Sequence, residues 1–251
     1  MARPLVLWIA CVVAGCRCPL EAPDSFLADY ADYVQASDRI GASLASRRSI
    51  APAALFATAA LLQIDDADQK LQEDLVAPNA PEAGLQPADY GLWVLTGTSF
   101  ILPFLASPKD LDVRPWTVAA TNFEAWAWTV AISQGVKAMN LRDRPNGNPG
   151  GFYSAHAAAA FSAATVLDRE YGTAVGVPAY ILASLVGYDR IRTNLHYPSD
   201  ILVGAGMGIL LTNMIFDKDL GQEGYFRRRY RVEVQPQLDE DTVGLSVSVR
   251  W

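Results

Sequence analysis

The sequence predicts a mainly α-helical protein, a bundle of helices followed by a small β-hairpin at the carboxyl end. Apolar segments of helical length follow one another between residues 51 and 217, and alternation with a period of two is confined to the residues after them. Of the 251 residues, 51% are hydrophobic, which supports a sizeable core. Disulfides cannot hold that core, because Cys16 and Cys18 are nearly adjacent and Cys11 lies in an amino-terminal apolar run.

Composition divides the chain into four parts. Residues 1–15 combine a positive charge with a short apolar run and are interpreted as a signal peptide. Residues 16–50, which mix Pro, Ser, Asp and Arg, are expected to form a tether and a first amphipathic helix. Residues 51–217 are assigned to the helical core, and residues 218–251 to a hairpin tail.

The apolar run ends Val13-Ala14-Gly15-Cys16, which resembles the bacterial lipobox, in which the cysteine is acylated and begins the mature chain. We therefore predict a lipid anchor at Cys16 and a place in the bacterial cell envelope, on the periplasmic side. Arg17 rather than Asp follows the cysteine, and by analogy with bacterial lipoproteins this implies the outer membrane rather than the inner one. The alternative is an ordinary signal peptide, or a translated upstream stretch, in which Cys16 is incidental.

Helices are expected at 52–64, 88–106, 115–140, 154–171, 176–188 and 198–216. Pro103 and Pro108 are expected to close the second of these. The polar connection 65–88 has room for one short helix. In the tail, alternating apolar residues on both sides of 236–241 predict an antiparallel hairpin.

Several of these helices are apolar enough to suggest membrane spans. Polar residues such as Asn122, Glu124 and Lys137 in the third helix, and a mean hydropathy of only +0.13, favour instead a globular bundle tethered by lipid. The aromatic residues of the third helix are expected to pack in the core or between helices, rather than against lipid. They are Trp116, Phe123, Trp126 and Trp128.

The stretch from Lys137 to Asp200 carries the residues suited to binding a phosphate group. Lys137, Arg144 and Arg190 supply positive charges from separate segments, and guanidinium groups match phosphate oxygens well. Ser154 precedes an alanine-rich run and is a good helix N-cap, so free backbone N–H groups would follow it. These features predict a cage for phosphate.

Both histidines of the chain lie in the same stretch. His196 has a carboxylate, Asp200, four residues on, which can hold one ring nitrogen and leave the other free to attack phosphorus. His156 would then protonate the leaving oxygen as the general acid. Two imidazoles thus divide the two roles that phosphoryl transfer needs.

These segments resemble the signature of the type 2 phosphatidic acid phosphatase superfamily, which also includes class A acid phosphatases and vanadium haloperoxidases. The signature is Lys-x6-Arg-Pro, Pro-Ser-Gly-His and Ser-Arg-x5-His-x3-Asp, and it is matched by Lys137, Arg144, Pro145, Ser154, His156, Arg190, His196 and Asp200. The resemblance implies a helical bundle of the acid phosphatase and haloperoxidase type. It also implies roles: His196 as the nucleophile that becomes phosphohistidine, Asp200 as its partner, His156 as the acid, and Lys137, Arg144, Ser154, Ala155 and Arg190 as phosphate ligands.

Three residues depart from the signature: Tyr153 replaces the proline, Ala155 the glycine and Asp189 the serine. Ala155 can still offer its backbone N–H to a phosphate, although its methyl group leaves the phosphate less room to approach. Asp189 would repel a phosphate unless Arg190 or Arg192 neutralises it.

The expected function is a metal-independent phosphatase that acts on a lipid phosphate, an isoprenyl pyrophosphate or a small monoester. No cofactor is expected. A net charge of −7 argues against general nucleic-acid binding, and the oligomeric state is left open. Two alternatives remain: a vanadium-dependent haloperoxidase, which would bind vanadate, and a non-catalytic envelope lipoprotein that retains the phosphate cage.

Overall fold

The computed structural model of the protein describes residues 47–78, 86–105, 115–219, 231–239 and 242–250. In these ranges the chain forms seven α-helices, which we number α1 (Ile50–Leu61), α2 (Ala67–Leu75), α3 (Pro87–Leu105), α4 (Pro115–Ala138), α5 (Ala155–Tyr171), α6 (Thr173–Arg192) and α7 (Pro198–Asp219). Short 3-10 turns at Arg47–Ser49 and Ile64–Asp66 precede α1 and α2. The predicted signal peptide, the lipidated Cys16 and the helix of the tether lie outside the described residues.

Helix α5 is the centre of the bundle and packs against α3, α4, α6 and α7. Its alanine-rich first half is buried, and small side chains allow the neighbouring helices to come close. On α7, a Cβ at Gly204 would lie 2.6 Å from the carbonyl oxygen of Ser154, and one at Gly208 would overlap the backbone of Ala158. Close packing of α5 on α7 therefore places the start of both helices side by side.

An apolar core joins α3, α5 and α6 through residues such as Leu95, Leu167 and Val186. A polar cluster holds the other end of α5 to α7. There, Arg169 donates to Asp217 at 2.8 Å and to Asn213 at 3.1 Å, and all three side chains are buried. The two clusters fix the relative positions of the helices that carry the motif residues.

The predicted helices agree with the observed ones except near their ends. Helix α6 runs to Arg192, beyond the expected end at 188, because its last turn is polar and the apolar pattern stops before it. Helix α4 ends at Ala138, shortly before Asn140, whose φ of 45° is incompatible with a right-handed helix. Pro103 lies inside α3, in its last turn before Leu105, close to the expected end at 106. The connection before α3 carries α2, as its length allowed.

Part of the outer surface of the described bundle is apolar. Trp116 is 71% exposed, but its ring packs edge-on against Phe104 of α3, a contact between helices as expected. Phe123 is 43% exposed, so neither residue lies in the core. Large apolar side chains also face outward along α3 and α6. They are Tyr90, Trp93, Val94, Ile101, Phe104 and Leu105 on α3, and Val177, Ile181, Leu185 and Tyr188 on α6.

One described helix is long and apolar enough to cross a membrane. It is Pro198–Asp217 of α7, with a mean hydropathy of 1.5, and 61% of this window is buried inside the protein. Because the core helix of a water-soluble bundle has the same properties, this helix is weak evidence for a membrane span.

In the tail, β1 (Arg231–Asp239) pairs antiparallel with β2 (Thr242–Arg250), with Val234 opposite Val247. Pro236 lies within β1, opposite Leu245, where the sequence suggested a break. Beyond this backbone pairing, the hairpin of the tail stays a prediction.

Candidate active site

The motif residues all lie at or near helix ends, and these ends meet at one side of the bundle. Lys137 is near the end of α4, His156 is in the first turn of α5, Arg190 is in the last turn of α6, and Asp200 is in the first turn of α7. Lys137 is close enough to Arg144, Arg190 and Asp200 for their charges to shift its pKa. The structure thus brings together residues that are distant in the sequence.

The loop between α4 and α5 folds back on itself, so that residues 142–144 lie against residues 148–151. The backbone N–H of Gly151 donates to the carbonyl of Arg142 at 2.7 Å, and that of Arg144 donates to Asn148 at 2.8 Å. A Cβ at Gly151 would lie 2.7 Å from the carbonyl oxygen of Asp143, closer than real side-chain atoms approach. Glycine is therefore required here by the close contact between the two arms of the loop.

The prediction that Ser154 caps α5 is confirmed. Its hydroxyl oxygen accepts from the N–H of Ala157 at 3.3 Å, and its own N–H donates to the carbonyl of Asp200 at 3.1 Å. Ala155 is the first residue of the helix, where the backbone is right-handed, so its methyl group causes no backbone strain. The positive end of α5 faces the cluster of cations and is suited to an anion.

The ring of His196 is held by a backbone carbonyl. Its Nδ1 lies 2.9 Å from the carbonyl oxygen of Gly151 and 3.7 Å from Oδ2 of Asp200, which is too far for a direct hydrogen bond. A carbonyl oxygen only accepts, so Nδ1 carries the proton and Nε2 keeps the lone pair. Asp200 therefore acts on His196 as a nearby charge, and the direct orienting contact comes from Gly151, a role that the sequence did not suggest.

Asp200 belongs to a buried polar network that reaches α2. Asp68 of α2 pairs with Arg142 at 2.7 Å and accepts from the N–H of Ser199 at 2.9 Å. Arg142 also donates to the Ser199 hydroxyl at 2.9 Å and lies 3.5 Å from Asp200. The network fixes the first turn of α7, which carries Asp200. Asp68 was not predicted, since nothing in the polar connection marked it as different from its exposed neighbours.

His156 has a carboxylate partner of its own. Oδ1 of Asp89, in the first turn of α3, lies 3.1 Å from Nε2 of His156 and 2.6 Å from a guanidinium nitrogen of Arg190. Its Oδ2 accepts from the N–H of Gln86 at 2.7 Å. The sequence gave no signal for this contact, because an acidic residue at the start of a helix is common without any catalytic role.

Asp189 was expected to lie beside the phosphate, but its carboxylate bonds to the start of α3 instead. Its Oδ2 accepts from the backbone N–H of Ala88 at 3.2 Å, at the positive end of α3. The helix terminus, rather than Arg190 or Arg192, therefore stabilises this negative charge.

Burial and the surrounding cations favour the neutral forms of both histidines. Burial lowers the pKa of His196, Lys137 and Arg144 lower it further, and Asp200 opposes them. Burial and the charge of Arg190 lower the pKa of His156 to about 4, although Asp89 opposes them. His196 is therefore neutral near pH 7, as a nucleophile must be.

Two arginines of the site each have a buried N–H donor that no acceptor in the described residues satisfies. Nε of Arg144 and Nε of Arg190 are buried, and neither has a hydrogen-bond partner within the part of the chain that the structure describes. Buried donors of this kind are costly unless an acceptor satisfies them. A phosphate between these guanidinium groups would supply that acceptor.

A model of the PAP2 superfamily matches residues 112–219. This span contains every residue of the three motif segments. Residues 112–219 are thus similar to the PAP2 superfamily. Asp68 and Asp89 lie outside the matched span, so part of the polar environment of the PAP2 motifs comes from helices that the family match does not include.

Among similar proteins is the lipid A 1-phosphatase of Porphyromonas gingivalis, which is 43% identical over 74 residues. That match covers 28% of this chain and 17% of the other, so the chain is compared with a small part of this relative. The crystal structure of Aquifex aeolicus LpxE superimposes with a TM-score of 0.46 at 19% identity, over 59% of this chain and 94% of that one.

Proposed function

We propose that this chain is a phosphatase that hydrolyses phosphate esters of lipids through a phosphohistidine at His196, without a metal ion. The observation that carries the proposal is the placement of His156 and His196 beside one cluster of three cations, Lys137, Arg144 and Arg190. A neutral imidazole and a second imidazole near the same anion site provide a nucleophile and a proton donor for phosphoryl transfer.

In the first step, the lone pair on Nε2 of His196 attacks phosphorus while the bond from phosphorus to the leaving oxygen breaks. Protonated His156 gives its proton to that oxygen, and an alcohol departs. Lys137, Arg144 and Arg190 stabilise the charge on the other phosphate oxygens. In the second step, water attacks the phosphohistidine, His156 accepts a proton from it, and the P–N bond breaks to release inorganic phosphate.

Two observations favour a lipid phosphate over a small soluble ester. One relative carries the name lipid A 1-phosphatase. In addition, the outward apolar faces of α3 and α6 include Tyr90, which follows Asp89, and Tyr188, which lies two residues before Arg190. Large exposed apolar surfaces of this kind usually contact lipid or another protein. A lipid whose phosphate enters the cage would place its chains along this side.

The same surface and the lipobox-like amino terminus support a location for the enzyme. We propose that the protein is held at a membrane of the bacterial envelope, with its apolar side toward lipid. The anchor at Cys16, the periplasmic side and the outer membrane remain predictions from the sequence.

A phosphate-release screen of the purified full chain tests this function. Lipid A, phosphatidic acid, an isoprenyl pyrophosphate and a soluble aryl phosphate would be compared in detergent, with a chelator present. We expect release from a lipid substrate, inhibition by vanadate, and a loss of about 100- to 10,000-fold or more in His196→Ala. Near-normal turnover by that variant, or halide oxidation switched on by vanadate, would contradict the proposal.

A further inference from the structure

Asp89 occupies an unusual position for a helix-capping residue. One oxygen of its carboxylate holds the backbone at Gln86, while the other touches both the proposed acid, His156, and the phosphate-binding Arg190. Its side chain is 15% exposed, so these contacts are made in a largely buried setting.

The contact determines which nitrogen of His156 is available for proton transfer. A carboxylate oxygen that already accepts from Arg190 at 2.6 Å is ionised and can only accept, so Nε2 of His156, at 3.1 Å, must carry a proton. Nδ1 is then the nitrogen that gains and loses the second proton. The neutral ring has a lone pair on Nδ1, and the charged ring has a hydrogen there.

We propose that Asp89 is the positioning residue of the leaving-group side, holding the imidazole of His156 by Nε2 so that Nδ1 gives its proton to the departing oxygen. This role rests on the proposed phosphatase function. In the first step, the Nδ1–H bond breaks and an O–H bond forms as the P–O bond breaks. In the second step, Nδ1 takes a proton from the attacking water, while Nε2–H stays with Asp89 throughout.

The charges around His156 make such a partner necessary. Burial lowers the pKa of His156 most, and Arg190 from α6, Lys137 from α4 and His196 from the loop before α7 lower it further, to about 4. Asp89 from α3 is the neighbouring charge that raises it. Without this carboxylate, the protonated ring would face cations alone, and a smaller fraction would be able to act as an acid.

Asp89 is also held rigidly enough to orient a ring. The backbone of its helix turn is fixed by Asp189, which accepts from Ala88 at 3.2 Å, and by close packing of Gly91 against Val186 of α6. These contacts fix the Asp89 carboxylate relative to α6, the helix that carries Arg190. Arg190, inside the matched PAP2 span, and Asp89, outside it, thus form an ion pair beside His156.

Dependence on the leaving group tests this role. The full-length Asp89→Asn variant would be assayed with an alkyl phosphate, whose oxygen needs a proton to depart, and with dinitrophenyl phosphate, whose oxygen does not. We expect kcat for the alkyl ester to fall about 100-fold, the size of a typical general-acid contribution, and kcat for the dinitrophenyl ester to change much less. Asp89→Glu, which keeps the charge, should recover part of the alkyl rate.

Asp189→Asn is the matched control, because it removes a carboxylate that holds the same helix turn through Ala88. It should change both rates by the same factor. In a His156→Ala background, Asp89→Asn should have little further effect on the alkyl ester. Thermal unfolding of each variant would establish that it is folded.

Other outcomes would overturn the assignment. An equal loss for both esters, or a rise in KM alone, would mean that Asp89 acts only through Arg190 or through folding. An unchanged alkyl rate would mean that His156 does not need it. A wild-type chain that releases phosphate from neither ester would instead remove the phosphatase function, and the role of Asp89 with it.

Discussion

At the scale of single residues, the hydrogen bond from His196 to the carbonyl of Gly151 determines how the proposed nucleophile works. A backbone carbonyl holds the proton on Nδ1 whatever the protonation of nearby carboxylates, so Nε2 keeps its lone pair. Asp200, at 3.7 Å, adds a negative charge that stabilises the ring when it becomes positive on attack. Orientation and charge are thus supplied by different groups.

Gly151→Ala tests the orienting role. The added methyl group would meet the carbonyl of Asp143 at 2.7 Å, so the loop must shift and the Gly151 carbonyl must move with it. We expect kcat to fall by up to about 100-fold, as for a misplacement of about 1 Å at a reacting group. Steady-state kinetics with an aryl phosphate measures the loss.

Gly97→Ala is a suitable control for this variant, since a Cβ at Gly97 meets nothing within 4 Å. It should keep full activity and gain about 0.5–1 kcal/mol of stability, because alanine favours a helix more than glycine does. Equal activity in the two alanine variants would contradict the role given to the Gly151 carbonyl.

The pH dependence of the reaction follows from the two histidines. The profile of kcat/KM reports the free enzyme, in which His196 must be neutral and His156 protonated. The pKa of His156 is lowered to about 4, so its charged fraction falls as the pH rises, whereas the lowered pKa of His196 keeps that ring neutral in weak acid. We expect kcat/KM for an alkyl phosphate to fall between about pH 5 and pH 8. An optimum above pH 8 would contradict this assignment.

Residues whose chemistry requires a fixed type at a fixed spacing could be predicted from the sequence. Lys137, Arg144, His156 and His196 were identified in this way, and the structure brings them together. Asp89 could not be predicted, because its significance comes only from its distance to His156 in the folded chain.

At the scale of elements, α2 contributes more than its short length suggests. Asp68 is buried and bonds both to Arg142 of the motif loop and to the first turn of α7. The sequence predicted the apolar helices well because their burial follows the apolar pattern. It did not predict that the polar last turn of α6 is helical, because Arg190 there is buried in an ion pair with Asp89 and not in an apolar contact.

Asp68→Ala tests the importance of α2. It would leave Arg142 and the N–H of Ser199 without their partner, which costs about 3–5 kcal/mol for a buried pair. The lower end of that range is expected, since the side chain of Arg142 remains 22% exposed. Thermal or denaturant unfolding measures the loss, and activity should fall with it, because Asp200 follows Ser199.

Asp74→Asn on the same helix provides the control. Asp74 is exposed, so its replacement should change the free energy of unfolding by no more than about 0.5 kcal/mol. If Asp68→Ala were equally mild, the network would not hold the first turn of α7.

At the scale of the whole molecule, the matched PAP2 span, residues 112–219, packs against helices that precede it in the chain. Helices α2 and α3 precede it and supply Asp68 and Asp89 to its polar end, and α3 also packs into its apolar core. The long outward apolar faces of α3 and α6 were not expected from a globular bundle. The mean hydropathy of the chain could not reveal these faces, because it counts buried alanines and exposed large apolar side chains in the same way.

Ile181→Glu tests whether this apolar side contacts lipid. Ile181 is 58% exposed on α6, so a charge there should not disturb the core. Placing it in lipid would cost at least about 1.4 kcal/mol, so activity on a lipid phosphate in vesicles should fall about tenfold. Activity on a soluble aryl phosphate should be unchanged.

Gln69→Glu, at an exposed position of α2, adds the same charge elsewhere and should leave both activities as they are. A loss of vesicle activity in both variants would point to a general charge effect. No loss in Ile181→Glu would exclude this side as the lipid contact.

The most direct test of the proposed mechanism is to trap the phosphorylated enzyme. The full chain would be mixed with a radiolabelled phosphate ester, quenched in alkali, in which phosphohistidine survives, and analysed by mass spectrometry. We predict a phosphate on His196, lost on treatment with acid and absent from His196→Ala. Steady phosphate release with no label on His196, or with the label on another residue, would contradict the account.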